Sequence, residues 1–183
     1  MAYMKITAYH GLVARNDVMI HPDGYVIDTR GDVVRQAVCP IYDKAQEKLT
    51  EGLITGSVYE FAGGLRIEMC TKHQYRNFRE SLADFAGYDR VRSPFDGQHA
   101  QWFTEGAKKA GSGPFYEFIC LPDGMLTIGP VMATKLAADF QAYKKKAKAW
   151  DINNQFENGF YEQYLCWYQS FVYAADMGMI TIS

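Results

Sequence analysis

From Ile128 to Ser183 the chain reads as two long amphipathic helices with an unusual load of aromatic side chains. A helix pair of that length demands a large opposing core, so this third of the chain constrains the fold most. Gly129-Pro130 opens the first helix, with proline at a position whose N–H would be unpaired anyway. Met132, Leu136, Phe140, Tyr143, Ala147 and Trp150 then form one stripe at helical pitch. Lys144, Lys145, Lys146 and Lys148 lie near its end, where cations complement the helix dipole. They point around the polar arc, which predicts a solvated helix end. Asn153-Asn154 breaks or recaps this helix. The second runs from about Gly159 to Asp176, Gly178 stops it, and Met179 to Ile182 reads as a closing strand.

The second helix is apolar over too wide an arc. Phe160, Tyr164, Trp167 and Phe171 line one side, and Tyr161, Leu165, Tyr168 and Val172 the adjacent side. Together they approach about 180°, more than resting on one core requires. Two arrangements satisfy that width: a central helix buried on two sides, or a helix whose Tyr161, Tyr168 and Val172 side binds a partner. Tyr and Trp anchor interfaces because they bury large area with few rotors to freeze. Homodimerisation satisfies the same pattern.

The N-terminal half reads as short antiparallel strands. Asp17 to His21 and Tyr25 to Thr29 flank Pro22-Asp23-Gly24, a turn in which Pro sets φ and Gly takes positive φ. Arg30-Gly31-Asp32 is a second turn, and Val33 to Val38 would complete a meander. Tyr3 to Tyr9 adds a further strand. Pro40 opens a short helix from about Ile41 to Glu51. Ser57 to Phe61 and Leu65 to Cys70 are predicted to pair as a hairpin across Ala62-Gly63-Gly64.

Beyond Cys70 the period changes from two to nearly four. Tyr75, Phe78, Leu82, Phe85 and Ala86 fall on one helical face, with Thr71 as N-cap and Gly87 as C-cap. Gln98 to Ala110 predicts another helix, with Trp102, Phe103 and Ala107 inward and Gly111 as its stop. Gly111-Ser112-Gly113-Pro114 is the best hinge signal. Phe115 to Cys120 reads equally as a helical turn or a strand, and Leu121-Pro122-Asp123-Gly124 repeats the earlier turn chemistry.

The C-terminal motifs carry a resemblance. Gly113-Pro114-Phe115-Tyr116-Glu117, Ile128-Gly129-Pro130 and Lys135-Leu136-Ala137-Ala138-Asp139-Phe140 follow in order. Trp167, Phe171, Ala174-Ala175 and Gly178 come after them. This order resembles small proteins of unassigned activity encoded by bacteria, phages and mobile elements, over roughly residues 75 to 183. The resemblance implies a setting, that of accessory genes whose products modulate host or defence proteins, and carries over no catalytic residue.

Hydrophobic residues make up 48% of the 183 and charged residues 22%, the balance of a globular domain. Net charge is −2, so no global field attracts nucleic acid or an anionic membrane. Met1-Ala2-Tyr3-Met4-Lys5 runs straight into an alternating segment, which predicts no signal peptide and leaves Met4 as an alternative start. No apolar run is long enough to span a bilayer. Cys39, Cys70, Cys120 and Cys166 are scattered, which predicts reduced, mostly buried thiols in a cytoplasmic protein.

Local chemistry is sparse. Lys72, Arg76 and Arg79 form a stripe on one flank of the helix after Cys70, and Arg90 and Arg92 follow it. Such a cluster can hold a phosphate backbone with Tyr75 or Tyr88 stacking nearby, but the net charge gives that no support and the simpler reading is a solvated flank balanced by Glu80, Asp84 and Asp89. Cys70 and His73 have the one short metal-ligand spacing, two ligands short of a structural site. His10, His21 and His99 add no pair. Cys120 is the least poor nucleophile, with His99 or Glu117 as partners only if the fold brings them close. No phosphate-cradling or nucleophile-elbow motif occurs.

The expected fold is therefore α+β, residues 1–183 forming a single domain that is β-rich over 1–70 and mainly helical over 71–183. An N-terminal antiparallel sheet packs against a layer of amphipathic helices, with a short closing strand. The expected function is a non-enzymatic protein-binding accessory role, sharpest as inhibition of a host defence complex such as CRISPR (an anti-CRISPR), with Tyr161, Tyr168 and Val172 at the partner. No cofactor, metal or membrane is expected. Nucleic-acid binding through Lys72, Arg76, Arg79, Arg90 and Arg92 is the alternative, and a small enzyme the third.

Overall fold

In the computed structural model, residues 4–41, 44–67, 71–92, 101–154 and 159–183 are described. In chain order the strands and helices begin with β1 (Ile6–His10), β2 (Val13–Arg15), β3 (Val18–Ile20), β4 (Val26–Asp28) and β5 (Ala37–Val38). A 3₁₀ helix (Lys44–Thr50), β6 (Val58–Glu60), β7 (Gly63–Ile67) and α1 (Lys72–Ala86) follow. Then come β8 (Val91–Arg92), β9 (Gln101–Trp102), α2 (Phe103–Ala110) and α3 (Tyr116–Ile119). The chain ends with β10 (Leu126–Ile128), α4 (Pro130–Asn154), α5 (Phe160–Ala175) and β11 (Met179–Ile182). The fold is α+β, and the chain divides into two compact units. One comprises Lys5–Glu68, Gly124–Lys135 and Ser170–Ser183; the other Met1–Met4, Met69–Asp123 and Leu136–Gln169.

The first unit is built on an antiparallel sheet in the order β10-β11-β1-β7. Its register explains its core. Leu126 faces Ile182, which faces Ile6; Ile128 faces Ile180, which faces Ala8. All six are at most 1% exposed, so period-two alternation stacks them into two buried rows. On the other side of the pleat Thr127, Thr181 and Thr7 are in register, and the Thr127 hydroxyl accepts from the Ile41 N–H at 2.8 Å. The closing strand β11 thus lies inside the sheet, between β10 and β1. Gly178 permits this approach: a Cβ there would fall 2.1 Å from the Tyr9 carbonyl oxygen.

Several expectations for this half change. The Pro22-Asp23-Gly24 turn joins β3 and β4 as expected. The third strand of the meander does not form; only an isolated Ile27–Val33 bridge does, and β5 pairs with β6 instead. Of the expected 41–51 helix, residues 42–43 lie outside the described residues and Lys44–Thr50 forms a 3₁₀ helix, not an α-helix. β6 and β7 are not hairpin partners: β6 pairs with β2 and β5, and β7 with β1. Gly63 and Gly64 lie within β7 opposite His10 and Tyr9. A Cβ at Gly63 would meet His10 Nε2 and the Tyr173 hydroxyl at 2.7 Å, so this glycine serves a close approach and not a turn. β10 leaves no signal in the sequence, because three residues between a turn and a helix start show no period.

The second unit is helical and aromatic. Thr71 caps α1 in a reciprocal box with Gln74, and Gly87 ends it at φ 90°. Tyr75, Phe78, Leu82 and Phe85 are buried as their spacing predicts. The remaining core comes from α3, α4 and α5, with Phe118 4.6 Å from Trp167 and Phe140 4.6 Å from Tyr164, centroid to centroid. The Tyr164 hydroxyl donates to the Phe140 carbonyl. Phe115 begins α3 at φ 58°, a left-handed conformation uncommon for a bulky side chain. Its ring is fully buried, 4.9 Å from Phe140, and its N–H donates to Asp139 at 3.0 Å, so the surroundings hold the strained backbone. The Phe115–Cys120 ambiguity resolves to a helical turn. In the region of the expected 98–110 helix, residues 98–100 lie outside the described residues. Gln101–Trp102 is a strand, and Trp102 is exposed, not inward.

Candidate functional site

α5 places its two apolar rows in different surroundings. Phe160, Tyr164 and Trp167 are buried in the aromatic core of the helical unit. One residue along from each, Tyr161, Leu165 and Tyr168 are half-buried. The outer row is therefore not a second core contact for the whole of its surface. Val172, which belongs to the sheet-bearing unit, is 46% exposed. On neighbouring α4, the Lys144 ammonium sits 4.9 Å from the Tyr168 ring centroid, and Lys145 and Lys148 are exposed. Lys146 is not purely solvated: its ammonium donates to the Phe85 carbonyl at 3.1 Å, at the α1 C-terminus. Thus the open part of this face combines aromatic surface with the Lys144 ammonium.

The basic stripe on α1 divides. Lys72 and Arg76 are exposed, as are Arg90 and Arg92. Arg79 is only 7% exposed and does not belong to a solvated flank. It donates to the carbonyls of Ile119, at 3.4 Å, and Leu121, and it pairs with Asp123. Its guanidinium lies 4.4 Å from the Tyr75 ring centroid. Arg76 shares Asp123, with Nε at 2.6 Å. Burial pushes the Asp123 carboxyl up, but the hydrogen bonds and charges of Arg76 and Arg79 outweigh it and hold it below its ordinary value. Arg79 is thus a lock between α1 and the Leu121-Pro122-Asp123 turn. Arg90 stands over the Phe103 ring at 4.5 Å. α1 alone is about 22 Å long at 1.5 Å per residue, so Lys72 and Arg90 lie toward opposite ends of it.

Between α1, α2 and residues 119–123 lies a cleft of about 780 Å³. His73 and Arg76 line it from α1, Lys108 from α2, Trp102 from β9, and Cys120 and Asp123 from the turn segment. Glu80 also faces it, and accepts from the backbone N–H groups of Phe103 at 2.6 Å and Thr104 at 3.0 Å. Trp102 at the N-cap of α2 makes no capping bond, so a carboxylate from another helix does that work. No local motif announces this, since Glu80 and Phe103 are 23 apart in sequence.

Burial pushes the Cys120 thiol up to about 11, against the weaker pull of Lys108 and Arg79. It keeps its proton at neutral pH, the opposite of an activated nucleophile. His99, its suggested base, lies outside the described residues, as does Cys70 of the Cys70–His73 spacing. Among the described residues no three His, Cys, Asp or Glu side chains are grouped to hold a metal ion. Cys39 and Cys166 are exposed and Cys120 is intermediate, so the expectation of mostly buried thiols does not hold for these. Among the described residues no helix is long and apolar enough to cross a membrane. No family model, curated protein or solved structure matches the chain.

Proposed function

We propose that this chain is a protein-binding module that works without catalysis, docking a partner on the outer row of α5. The observation that carries the reading is the contrast along that helix: Tyr161, Leu165 and Tyr168 keep open surface while the adjacent Phe160, Tyr164 and Trp167 are buried. Half-exposed tyrosines have the composition of an interface anchor, since each offers apolar area with a polar tip. The Lys144 ammonium over Tyr168 favours a partner with an apolar pocket and an acidic rim. Exposed Val172 extends the apolar sequence of α5. The resemblance in the C-terminal motifs supplies the setting: a cytoplasmic accessory protein of a phage or mobile element, acting on a host defence complex such as a CRISPR effector.

The test is affinity capture from host lysate with a tagged chain, at low and high salt, beside a Tyr161→Ala/Tyr168→Ala variant. The expected result is a stoichiometric protein partner that persists at high salt and is lost with the variant, whose melting temperature stays close to wild type. A partner retained by the variant places the interface elsewhere and overturns the reading.

A further inference from the structure

The cleft beside α2 contains chemistry that the α5 face does not use. Its volume of about 780 Å³ is that of a small-molecule site. The acids that line it are engaged. Glu80 fills the N-terminus of α2, Asp123 is shared by Arg76 and Arg79, and Glu105 holds Lys108 at 2.6 Å. The outer cations retain donors. Arg76 reaches Asp123 through Nε and Nη2, and its side chain is 60% exposed. Lys108 has one ion pair for an ammonium with several N–H donors, and is 55% exposed. Both cations are more exposed than the carboxylates they pair with, Asp123 at 34% and Glu105 at 16%, so the cleft turns donors toward solvent more than acceptors. Trp102 adds a flat aromatic surface, 42% exposed, whereas Trp167 is buried.

We propose that this cleft binds a nucleoside phosphate, with the phosphate on Arg76 and Lys108 and the base against Trp102. A phosphoryl group supplies the acceptor oxygens and negative charge that both side chains take, Arg76 through Nη1 and the Nη2 N–H that Asp123 leaves over, since its Nε–Nη2 edge is on that carboxylate. A base supplies the planar face that stacks on indole. Formal charge along the lining is balanced, with Arg76, Arg79 and Lys108 against Glu80, Glu105 and Asp123. Binding thus rests on directed donors and one stacked ring, and its salt dependence is shallow. The same chemistry is presented by a free nucleotide and by the phosphorylated end of a single strand.

Isothermal titration with AMP, adenosine, ribose 5-phosphate and a 5′-phosphorylated oligothymidylate tests the site. AMP is expected to bind more tightly than adenosine or ribose 5-phosphate. Arg76→Ala and Lys108→Ala should each weaken it about tenfold, the loss of one charge-assisted contact, and Trp102→Ala severalfold. An oligonucleotide tighter than AMP assigns the site to a strand end; equal or weaker binding assigns it to a free nucleotide. If Arg76→Ala lowers the melting temperature, Lys108→Ala decides, since its ion pair with Glu105 is an exposed helical one. Absence of heat with both AMP and the oligonucleotide at millimolar concentration overturns the proposal. So does adenosine binding as well as AMP, or an affinity that none of the three substitutions moves. None of these variants touches α5, so the fate of this site and that of the partner face are read separately.

Discussion

Trp167 and Tyr168 are neighbours on α5 with opposite surroundings. Trp167 is 4% exposed and sits 4.6 Å from Phe118 and 5.7 Å from Tyr75. Tyr168 is half-buried, with a lysine ammonium over its ring. Arg79 and Arg76 repeat the contrast on α1, one sealed under Tyr75 and the turn carbonyls, the other largely in solvent. In both pairs residue type is the same class and only the helical phase differs. The lesson is that an over-wide apolar arc or a basic stripe is two populations, and each substitution should sort by phase.

The largest separation is expected on α5. Trp167→Ala removes a large side chain from a packed interior and should cost about 3–5 kcal/mol in chemical denaturation. A loss under about 1 kcal/mol would show that the inner row does not carry the core.

Next comes the arginine pair. Arg79→Ala leaves the Leu121 carbonyl without its donor and Asp123 with one partner. Breaking a buried pair costs about 3–5 kcal/mol, and Asp123 is a third exposed and keeps Arg76, so about 2–3 kcal/mol is expected. Arg76→Ala, by contrast, should cost at most about 1 kcal/mol, the range of exposed ion pairs. Equal losses from both would dissolve the distinction between lock and rim.

Acid sharpens the same contrast. The Asp123 carboxyl is held below its ordinary value, so its stabilising contribution is complete above the unfolded value and lost as pH falls through the folded one. Thermal melts should therefore drop as pH falls below about 4, the ordinary carboxylate range. Asp28 contributes in the same direction, lowered first by the Asp32 N–H and then by Arg30. Asp17, held low by its hydrogen bond from Arg15, adds to the same limb, so Arg79→Ala should flatten part of what remains when Asp28→Asn and Asp17→Asn are both in place. An unchanged limb in the Arg79 variant would show that the pair is not coupled to folding.

How much of this was legible follows from the range of each signal. Thr71, Gln74 and Gly87 bound α1 through contacts within one turn, so its limits could be read directly. Pro22-Asp23-Gly24 located the β3–β4 turn for the same reason. Gly63-Gly64 looked like turn chemistry, yet both lie within a strand and Gly63 answers to His10 and Tyr173, distant in sequence. Arg79 and Asp123 are 44 apart, and nothing near either residue announces the other. The candidate cleft depends on that pairing and on Glu80 reaching Phe103, so its residue types were visible but their assembly was not. The width of the α5 arc was legible; which part stays open required the phase of the core.

The smallest effect falls on the outer row. Tyr168→Ala removes a half-exposed ring and a cation–π contact with Lys144 whose flexible ammonium loses little by returning to water. About 0.5–1 kcal/mol is expected, against several for Trp167 one position earlier. Tyr168→Phe separates the terms further, since it keeps the ring under Lys144 and removes only the hydroxyl, and should be neutral within about 0.5 kcal/mol. A Tyr168→Ala loss as large as that of Trp167→Ala would mean that both rows are core. The wide arc of α5 would then be a doubly buried helix, and the partner face would have no surface to occupy.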